Sequence, residues 1–585
     1  MKSRCRKTKI VFSICLIVGI FCLAESSMAA TIYADNTLSS DCTSGNYSIV
    51  NRNCNGADGN AYRKIQDSIN GMAVGDTIYI RGGTYREDNA SADLDILIPS
   101  SKNGDSWEEG HYSTLASYPG EWAVIDGEGS APKGTVLGLK GMTYCPTCVL
   151  RYWKFERLEI TGGTIPGQEE GGAGLFLPEG PFIIRYCYIH DNWDDSQLNN
   201  PAGIESYRLQ NSIIEYNYFY RNGCNDGGNC RQIAIFNDYC DETTQSQCQN
   251  PPFTNTVNDI NRATRNNVIR YNLFDGGPEE ATIGLGYKST QLLDPNDGSS
   301  LEHKNLGDKI HHNIFLNHSD KAAKVSQDYL QFYNNIIDGS TVGNGEYNSN
   351  DRLRVTIYNN SIFSGNISSW ARGSAAGPDD PFVPWDLLYN NIIDNSPSSD
   401  NERRAINFWA YVNGTLLPTH CSDINTSHFA VRNNYIYRPQ SGLHVYMSGE
   451  TDCGSQYGAM SLSAFNASYG MVNYLKASSE GMDSLVLGST GASRYITRAD
   501  HVVNGPLSIS AGGIGGAHPY LGGTVLPSYL GATNPDDNEW VEGVLDLASV
   551  DVLQNGQAGD PVWVEGISGS PDAESPLAPS GLLVS

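Results

Sequence analysis

A four-residue phrase recurs through the middle of the chain and constrains its fold more than any other feature. Each copy has a leading aromatic or polar residue, then Asn, then two residues that are mostly apolar. The repeated Asn residues are Asn217, Asn272, Asn313, Asn335, Asn360, Asn391 and Asn434, and Cys187 holds the same place in an earlier copy. Successive copies lie 30, 55, 41, 22, 25, 31 and 43 residues apart. A basic period of 22–25 residues, lengthened by insertions in some turns, predicts a solenoid of stacked coils.

Short β-type runs between Gly, Asn and Asp turns fill each unit, and no helix-length apolar pattern separates them. Parallel strands without crossover helices must pair with the coils above and below, so the pattern predicts an all-β, parallel β-helix. Asn suits one fixed place in each coil because it tolerates left-handed backbone and its amide can bond the next coil. We therefore expect the Asn column of residues 185–437 to be structural, and beyond about residue 454 the phrase stops.

A short amphipathic segment lies ahead of these coils. Ala61, Ile65, Ile69 and Met72 fall on one face of a helix, which predicts a helix over residues 61–72. Exposed strand edges invite aggregation, so we expect this helix to cap the open end of the first coil.

The net charge excludes one large class of partners. The 585 residues include 38 Lys and Arg against 65 Asp and Glu, a formal charge of −27. Phosphate backbones repel a chain this acidic, so we expect no nucleic-acid partner. The charged fraction of 18% is below the usual figure of about a quarter, which argues against an all-helical protein.

The N-terminus predicts export. Five basic residues precede an apolar run over residues 10–24, and Ser27-Met28-Ala29 offers a cleavage site, so residues 1–29 are interpreted as a signal peptide. The run is shorter than the roughly twenty residues that a membrane span needs. Removal would leave 33 basic and 64 acidic residues, a charge of −31. We expect a monomer without a transmembrane segment, secreted, periplasmic or at the cell surface, with a β-helix over residues 30–533 and an acidic, linker-like tail over residues 534–585.

Eleven cysteines remain after the signal peptide, and ten of them form close pairs. The pairs are Cys42/Cys54, Cys145/Cys148, Cys224/Cys230, Cys240/Cys248 and Cys421/Cys453. Close pairs in an exported chain indicate disulfides, and we expect at least three of the five to be oxidised. Zinc at Cys145 and Cys148 is the alternative. Cys187 is left over and is expected to be buried.

Beside the Asn phrases, two further segments resemble a known superfamily. Residues 61–85 include Gly75-Asp-Thr-Ile-Tyr-Ile-Arg-Gly-Gly-Thr-Tyr85, and residues 118–127 include Val124-Ile-Asp-Gly127. With these the chain resembles the right-handed parallel β-helix proteins of the pectate-lyase-like superfamily, over about residues 31–530. The resemblance implies the fold. It leaves the activity open, because the superfamily includes lyases, hydrolases, esterases, epimerases and non-catalytic fibres.

Strand alternation selects a candidate groove within residues 281–288. Ile283, Leu285 and Tyr287 share the inward face, which assigns Thr282, Gly284, Gly286 and Lys288 to the outward face. Outward glycines weaken a strand unless something must approach closely. About one coil later the same alternation turns Lys324 outward. Glu205, Arg404 and His444 are the further outward residues that we expect to bind substrate.

Acidic residues form a second candidate group. Asp191, Asp194 and Asp195 directly follow a strand of the repeat, and carboxylate oxygens at such spacing could hold calcium. Asn- and Asp-rich turns without any metal are the alternative.

Cations on one face of an acidic chain suit an anionic sugar polymer. We expect β-elimination of a uronate glycan: a cation or calcium neutralises the uronate carboxylate, and a base removes the proton at C5. The superfamily includes lysine-dependent pectate lyases, and this likeness implies Lys288 as the base, with Lys324 beside it. A non-catalytic carbohydrate-binding or surface solenoid is the alternative, and a glycoside hydrolase or epimerase is a further one.

Overall fold

Short strands recur three to a coil along most of the chain. The computed structural model describes residues 29–87, 94–127, 134–139, 149–163, 173–193, 201–224, 230–236, 264–276, 282–287, 306–316, 321–325, 330–339, 341–344, 356–373, 387–395, 404–412, 415–416, 430–438, 442–447, 458–475 and 530–532. Each coil contributes one strand to each of three faces, which we name first, second and third in the order in which the chain meets them.

Strands of the first face are Thr31–Ala34, Asn60–Tyr62, Thr77–Ile80, Ser113–Ser117, Trp153–Glu156, Phe182–Arg185, Ile213–Glu215, Val268–Arg270, Lys309–His311, Gln331–Tyr333, Thr356–Tyr358 and Leu387–Tyr389. Those of the second face are Gly83–Tyr85, Ala123–Asp126, Leu158–Thr161, Tyr188–His190, Tyr218–Tyr220, Leu273–Asp275, Ile314–Leu316, Ile336–Asp338, Ser361–Phe363, Ile392–Asp394 and Val472–Leu475. The strand Ala430–Tyr437 is long enough to serve both faces and joins them into one sheet of 24 described strands.

The third face is a separate sheet of 13 described strands. They are Leu94–Leu97, Thr135–Gly138, Ala173–Phe176, Ala202–Tyr207, Arg231–Phe236, Ile283–Tyr287, Lys321–Val325, Thr341–Asn344, Asn366–Gly373, Ile406–Val412, Thr415–Leu416, Val445–Met447 and Gly458–Met460. Strands of successive coils pair in parallel, and the two antiparallel pairs lie at the last coils of this sheet. The fold is the right-handed parallel β-helix that the sequence predicts.

Inward side chains from all three faces fill one continuous core. Ile233, Ile283 and Leu285 of the third face lie in it together with Phe219 and Phe274 of the second face. Phe219 and Phe274 stack with ring centroids 4.9 Å apart, because the parallel register puts equivalent residues of successive coils side by side. The remaining residues of each strand face outward, and their positions are therefore fixed by the same register.

A ladder of Asn side chains runs through the bend between the first and second faces. Each Asn amide donates to Oδ1 of the Asn one coil further on, at 2.9–3.1 Å. The donor–acceptor pairs are Asn217–Asn272, Asn272–Asn313, Asn313–Asn335, Asn335–Asn360, Asn360–Asn391, Asn391–Asn434 and Asn434–Asn473. The structural role expected for the Asn column is thus confirmed.

Two details of the ladder differ from the sequence prediction. The left-handed residue of each bend is the one before the ladder Asn: Tyr216 has φ 55° and Asn334 has φ 51°. The ladder also extends beyond the last copy of the phrase, because Asn473, which follows Val472, accepts from Asn434 and adds one coil. Cys187 begins it: its backbone N–H donates to Asn217 at 2.9 Å, and its buried thiol has a pKa raised to about 12 by burial.

The predicted cap helix is shorter than its apolar pattern. The first helix, α1, spans Ile65–Gly71, and Ile65, Ile69 and Met72 enter the main core. Ala61 lies instead in a strand and packs in a separate cluster. The helix begins late because the carboxylate of Glu87, distant in sequence, accepts the backbone N–H of Ile65 at 2.6 Å. Burial raises the pKa of Glu87 to about 7. A second helix, α2, spans Leu462–Tyr469.

Two of the five predicted disulfides, Cys42–Cys54 and Cys224–Cys230, lie within the described residues and are formed. The other three pairs, the signal peptide and the acidic tail lie outside them. Neither α1 nor α2 is long and apolar enough to cross a membrane. From the last part of the chain, residues 530–532 pack on the second face, where the Ala532 backbone N–H donates to Ser361 Oγ at 2.9 Å.

Candidate functional site on the third face

One column of outward residues crosses the third face from coil to coil. Its members are strand partners in the order Phe176, Glu205, Ala234, Gly284, Lys324, Gly343, Ser368, Asn407 and Tyr446. Their neighbours along the strands, such as Ile233, Ile283 and Ile367, lie in the core. Alternation therefore turns the column away from the core.

The centre of the column is a lysine between two glycines. Lys324 is opposite Gly284 on one side and opposite Gly343 on the other. Strand partners lie about 4.8 Å apart, so two adjacent positions beside the lysine stem have no side chain of their own. Lys324 is 7% exposed. The sequence prediction that brings Gly284 and Lys324 together on neighbouring coils describes this arrangement.

Two further cations lie beside this centre, and the sequence reasoning missed both. Arg231 crosses Gly284: a Cβ added to that glycine would lie 2.6 Å from Arg231 Cζ. Lys321 borders Gly343, where an added Cβ would lie 3.2 Å from Lys321 Cδ. The signal that could have found Arg231 is a basic residue that opens a largely apolar strand in an acidic chain, directly after the Cys224–Cys230 disulfide.

An aromatic row lies at the N-terminal side of the cations. Tyr207 and Phe236 are strand partners with ring centroids 5.4 Å apart, and Phe176 lies 6.0 Å from Tyr207. The guanidinium of Arg231 is 5.4 Å from the Phe236 ring, a distance typical of cation–π contacts. Glu205, predicted to bind substrate, is in this region and is 2% exposed.

The structure supports the alternation used for residues 281–288 only as far as Leu285. Thr282 is fully buried, and its backbone bonds Ile233 and Lys321 on the two neighbouring coils. Beyond Leu285 the register shifts, so that Tyr287 is opposite Phe236 and Gly286 falls in the irregularity. The argument that forces Lys288 outward therefore does not extend to it. Lys288 itself lies outside the described residues, and its catalytic role stays a prediction.

Arg404 and His444 meet at the other end of the column. They belong to successive coils, and the His444 carbonyl accepts from the backbone N–H of Ile406 at 3.3 Å. Asn407 closes a loop on Arg404: its amide donates to the Arg404 carbonyl at 2.8 Å and accepts from the Arg404 backbone N–H at 3.1 Å. Burial lowers the pKa of His444, and the charges of Arg438 and Arg404 lower it further.

The predicted calcium ligands are only partly described. Asp194 and Asp195 lie outside the described residues. One oxygen of Asp191 contacts His190 Nδ1 at 2.8 Å and the other contacts Arg221 Nε at 3.4 Å. Both oxygens are therefore already in contact with nitrogen atoms of other side chains, which does not favour a cation there. No group of three metal-ligand side chains occurs in the part of the chain that the structure describes. Calcium at this loop stays a prediction.

The third face thus brings together three cations, two glycines on either side of Lys324 and a neighbouring aromatic row. Cations neutralise carboxylates, and a lysine can also act as a base when it is neutral. Within the described column Glu205 is the one carboxylate, whereas glycoside hydrolysis uses two. The arrangement can bind a carboxylate and, when one lysine is neutral, can accept a proton.

Comparison with known proteins gives structural neighbours only. No protein-family profile matches the chain, and no curated protein matches it. A mannuronic acid specific polysaccharide lyase of family 6 from human gut microbiota shares 11% identity over 70% of this chain and 87% of its own, with a TM-score of 0.38. A family 6 polysaccharide lyase from Pseudopedobacter saltans shares 11% over 72% and 93%, with a TM-score of 0.37.

A third neighbour has a different activity. It is the A-module of a mannuronan C-5 epimerase from Azotobacter vinelandii, with 14% identity over 70% of this chain and 89% of its own, and a TM-score of 0.29. At this level of likeness the neighbours carry no argument about the chemistry of this chain, which depends on its own residues.

Proposed function

We propose that this protein binds an anionic, uronate-containing polysaccharide along its third face and cleaves it by β-elimination. The observation that carries the proposal is Lys324 between Gly284 and Gly343, with Arg231 and Lys321 at its sides. Neither strand partner of Lys324 has a side chain of its own, and Arg231 and Lys321 cover the two glycines, so three cations lie against one another. In a chain of net charge −27, three cations at one place are a local departure that suits a negatively charged ligand.

Arg231, Lys321 and Lys324 have different roles in the proposed elimination. Arg231 and Lys321 neutralise the uronate carboxylate, which stabilises the carbanion that forms at C5. Lys324, as the free amine, takes the C5 proton, the electron pair forms the C4–C5 double bond, and the C4–O bond breaks. The ammonium then returns the proton to the leaving oxygen. The products are a 4,5-unsaturated uronate and a new reducing end. Lys288 is the second lysine that we propose for the role of base.

Two other functions share parts of this arrangement. A non-catalytic carbohydrate-binding solenoid needs the cations and the aromatic row of Phe176, Tyr207 and Phe236, but no base. An epimerase removes the same C5 proton and returns a proton to the opposite side of the ring, without breaking the chain. For location, we propose an exported protein, and the two disulfides are compatible with an oxidising compartment.

The test is to incubate the protein with a panel of uronate and neutral polysaccharides and to follow two signals. Ultraviolet absorbance reports the unsaturated product, and a reducing-sugar assay reports chain cleavage. β-Elimination raises both signals together on uronate polymers alone. New reducing ends without absorbance mean hydrolysis. A change in the uronate composition of the polymer with neither signal means epimerisation. Retention on a uronate column with no chemical change means a binding solenoid.

A further inference from the structure

A second basic cluster lies at the far end of the column that carries Lys324. Asn407 is three strand partners beyond Lys324, a distance of roughly 14 Å at the usual strand spacing. Arg404 is held there by the Asn407 amide, and His444 follows on the next coil. Arg438 joins them from the bend that follows the strand Ala430–Tyr437.

The imidazole of His444 is the unusual member of this cluster. The residue is 6% exposed, so more than nine-tenths of it is buried. Its Nδ1 atom has no hydrogen-bond partner among the described residues. A buried polar atom without a partner is destabilising, so it indicates a group that the site is built to receive.

The chemistry of that group follows from its surroundings. The charged groups that act on the His444 ring are the guanidiniums of Arg438 and Arg404. Guanidinium groups suit carboxylates and sulfates, because their planar donors match two oxygens at once. The negative charge of a bound anion favours the protonated form of the imidazole. Nδ1 of the protonated ring then donates a hydrogen bond to the anion.

We infer that Arg404, Arg438 and His444 form a second anion subsite, which holds a charged substituent of the same polysaccharide several sugars from Lys324. This inference rests on the proposed function, and it narrows the substrate class. A glycan with isolated uronates fills one site at a time, whereas a polymer with charged groups on successive sugars fills both. The protein therefore prefers a contiguous polyanion, and affinity rises with chain length until the ligand spans both sites.

The test measures binding of uronate oligomers of graded length, from a disaccharide upward, by calorimetry with the full-length protein. We expect Arg438→Gln to weaken binding of long oligomers about tenfold and to leave binding of the shortest ones unchanged. His444→Gln removes the titrating group, so the rise in long-oligomer affinity as the pH falls is lost in that variant. Arg432→Gln is the matched control. Arg432 lies on the strand Ala430–Tyr437, directly before Arg438, but in the part of that strand that pairs with the first face.

The results distinguish the inference from the proposed function. Equal effects of Arg438→Gln at all lengths, or none at any length while the wild type still binds, overturn the second subsite and leave the first. If the wild type binds no uronate oligomer, the proposed function fails, and inorganic sulfate then tests the subsite alone. A thermal shift with sulfate that Arg438→Gln and His444→Gln remove and Arg432→Gln keeps supports the subsite. Equal shifts in all four proteins overturn it.

Discussion

Asn272 and Asn313 are joined by two hydrogen bonds that end on one atom. The backbone N–H and the side-chain amide of Asn272 both donate to Oδ1 of Asn313, at 3.1 and 3.0 Å. The amide of Asn313 donates in turn to the carbonyls of Ile269 and His311 and to Asn335. Every such Asn therefore satisfies polar groups of three coils within a buried bend, which explains why the residue recurs at one place.

The first prediction concerns this ladder. Asn313→Ala removes the oxygen that accepts from two buried donors of Asn272, and alanine offers no acceptor in its place. We therefore expect the free energy of unfolding to fall by about 2–4 kcal/mol. Urea denaturation followed by circular dichroism measures it. Asn70→Ala is the control, because Asn70 is an exposed helix residue and its replacement is expected to change stability by less than about 0.5 kcal/mol. Equal losses in the two variants would refute the ladder as a stabilising element.

The ladder also shows how far the sequence alone predicts this fold. The recurring Asn and its spacing suffice for a parallel β-helix, because only stacked coils place one residue type at one point in each repeat. The sequence does not show which residue of the bend has left-handed backbone. Both residues of Asn334-Asn335 tolerate that conformation, and only Asn334 adopts it. The start of α1 was misplaced because its cap, Glu87, is distant in sequence.

The second prediction concerns Gly284. Gly284→Ala places a methyl group against the buried guanidinium of Arg231, so Arg231 must leave its position. We expect affinity for uronate oligomers to fall about tenfold, with the melting temperature lowered by a few degrees at most. Gly82→Ala is the matched control, because Gly82 lies directly before the second-face strand Gly83–Tyr85, away from the column, and the added carbon meets Glu121 Cβ at 3.3 Å and the Trp122 carbonyl at 3.4 Å. The same affinity in Gly284→Ala as in the wild type would remove Arg231 from the site.

A third prediction uses the pH dependence of stability. His190 bridges two carboxylates on the second face: Nε2 lies 3.0 Å from Glu159 and Nδ1 lies 2.8 Å from Asp191. Burial by itself lowers the pKa of His190, but the hydrogen bonds to Asp191 and Glu159 outweigh it and raise the pKa above its ordinary value. A raised pKa means that the folded state binds the proton more tightly than the unfolded chain.

The stabilisation by His190 is therefore complete below its ordinary pKa of about 6.5 and is lost as the pH rises through the raised value. We expect His190→Gln to be less stable than the wild type by about 1–3 kcal/mol near pH 5.5, with the difference shrinking toward pH 9. Denaturant unfolding at several pH values measures it. A difference that grows with pH would show that the histidine is held neutral.

The candidate site was less predictable than the fold, for a physical reason. Alternation correctly turned Lys324 outward because Ala323 before it packs in the core. It could not extend to Lys288, since the register shift near Tyr287 interrupts the period on which the argument depends. Arg231 reaches the site from the preceding coil. It is 53 positions from Gly284 in the sequence, and local periodicity does not show a contact between residues so far apart.

The most direct measurement of the central claim is the turnover of Lys324→Ala on a uronate polymer, followed by absorbance of the unsaturated product. Lys309→Ala is the matched control, because Lys309 lies on the first face, away from the column. We expect Lys324→Ala to lose at least a hundredfold in kcat while its melting temperature stays within a few degrees of the wild type, and Lys309→Ala to keep its rate. A Lys324→Ala protein that forms the unsaturated product at the wild-type rate would contradict the account and move the base elsewhere, with Lys288 the next residue to replace.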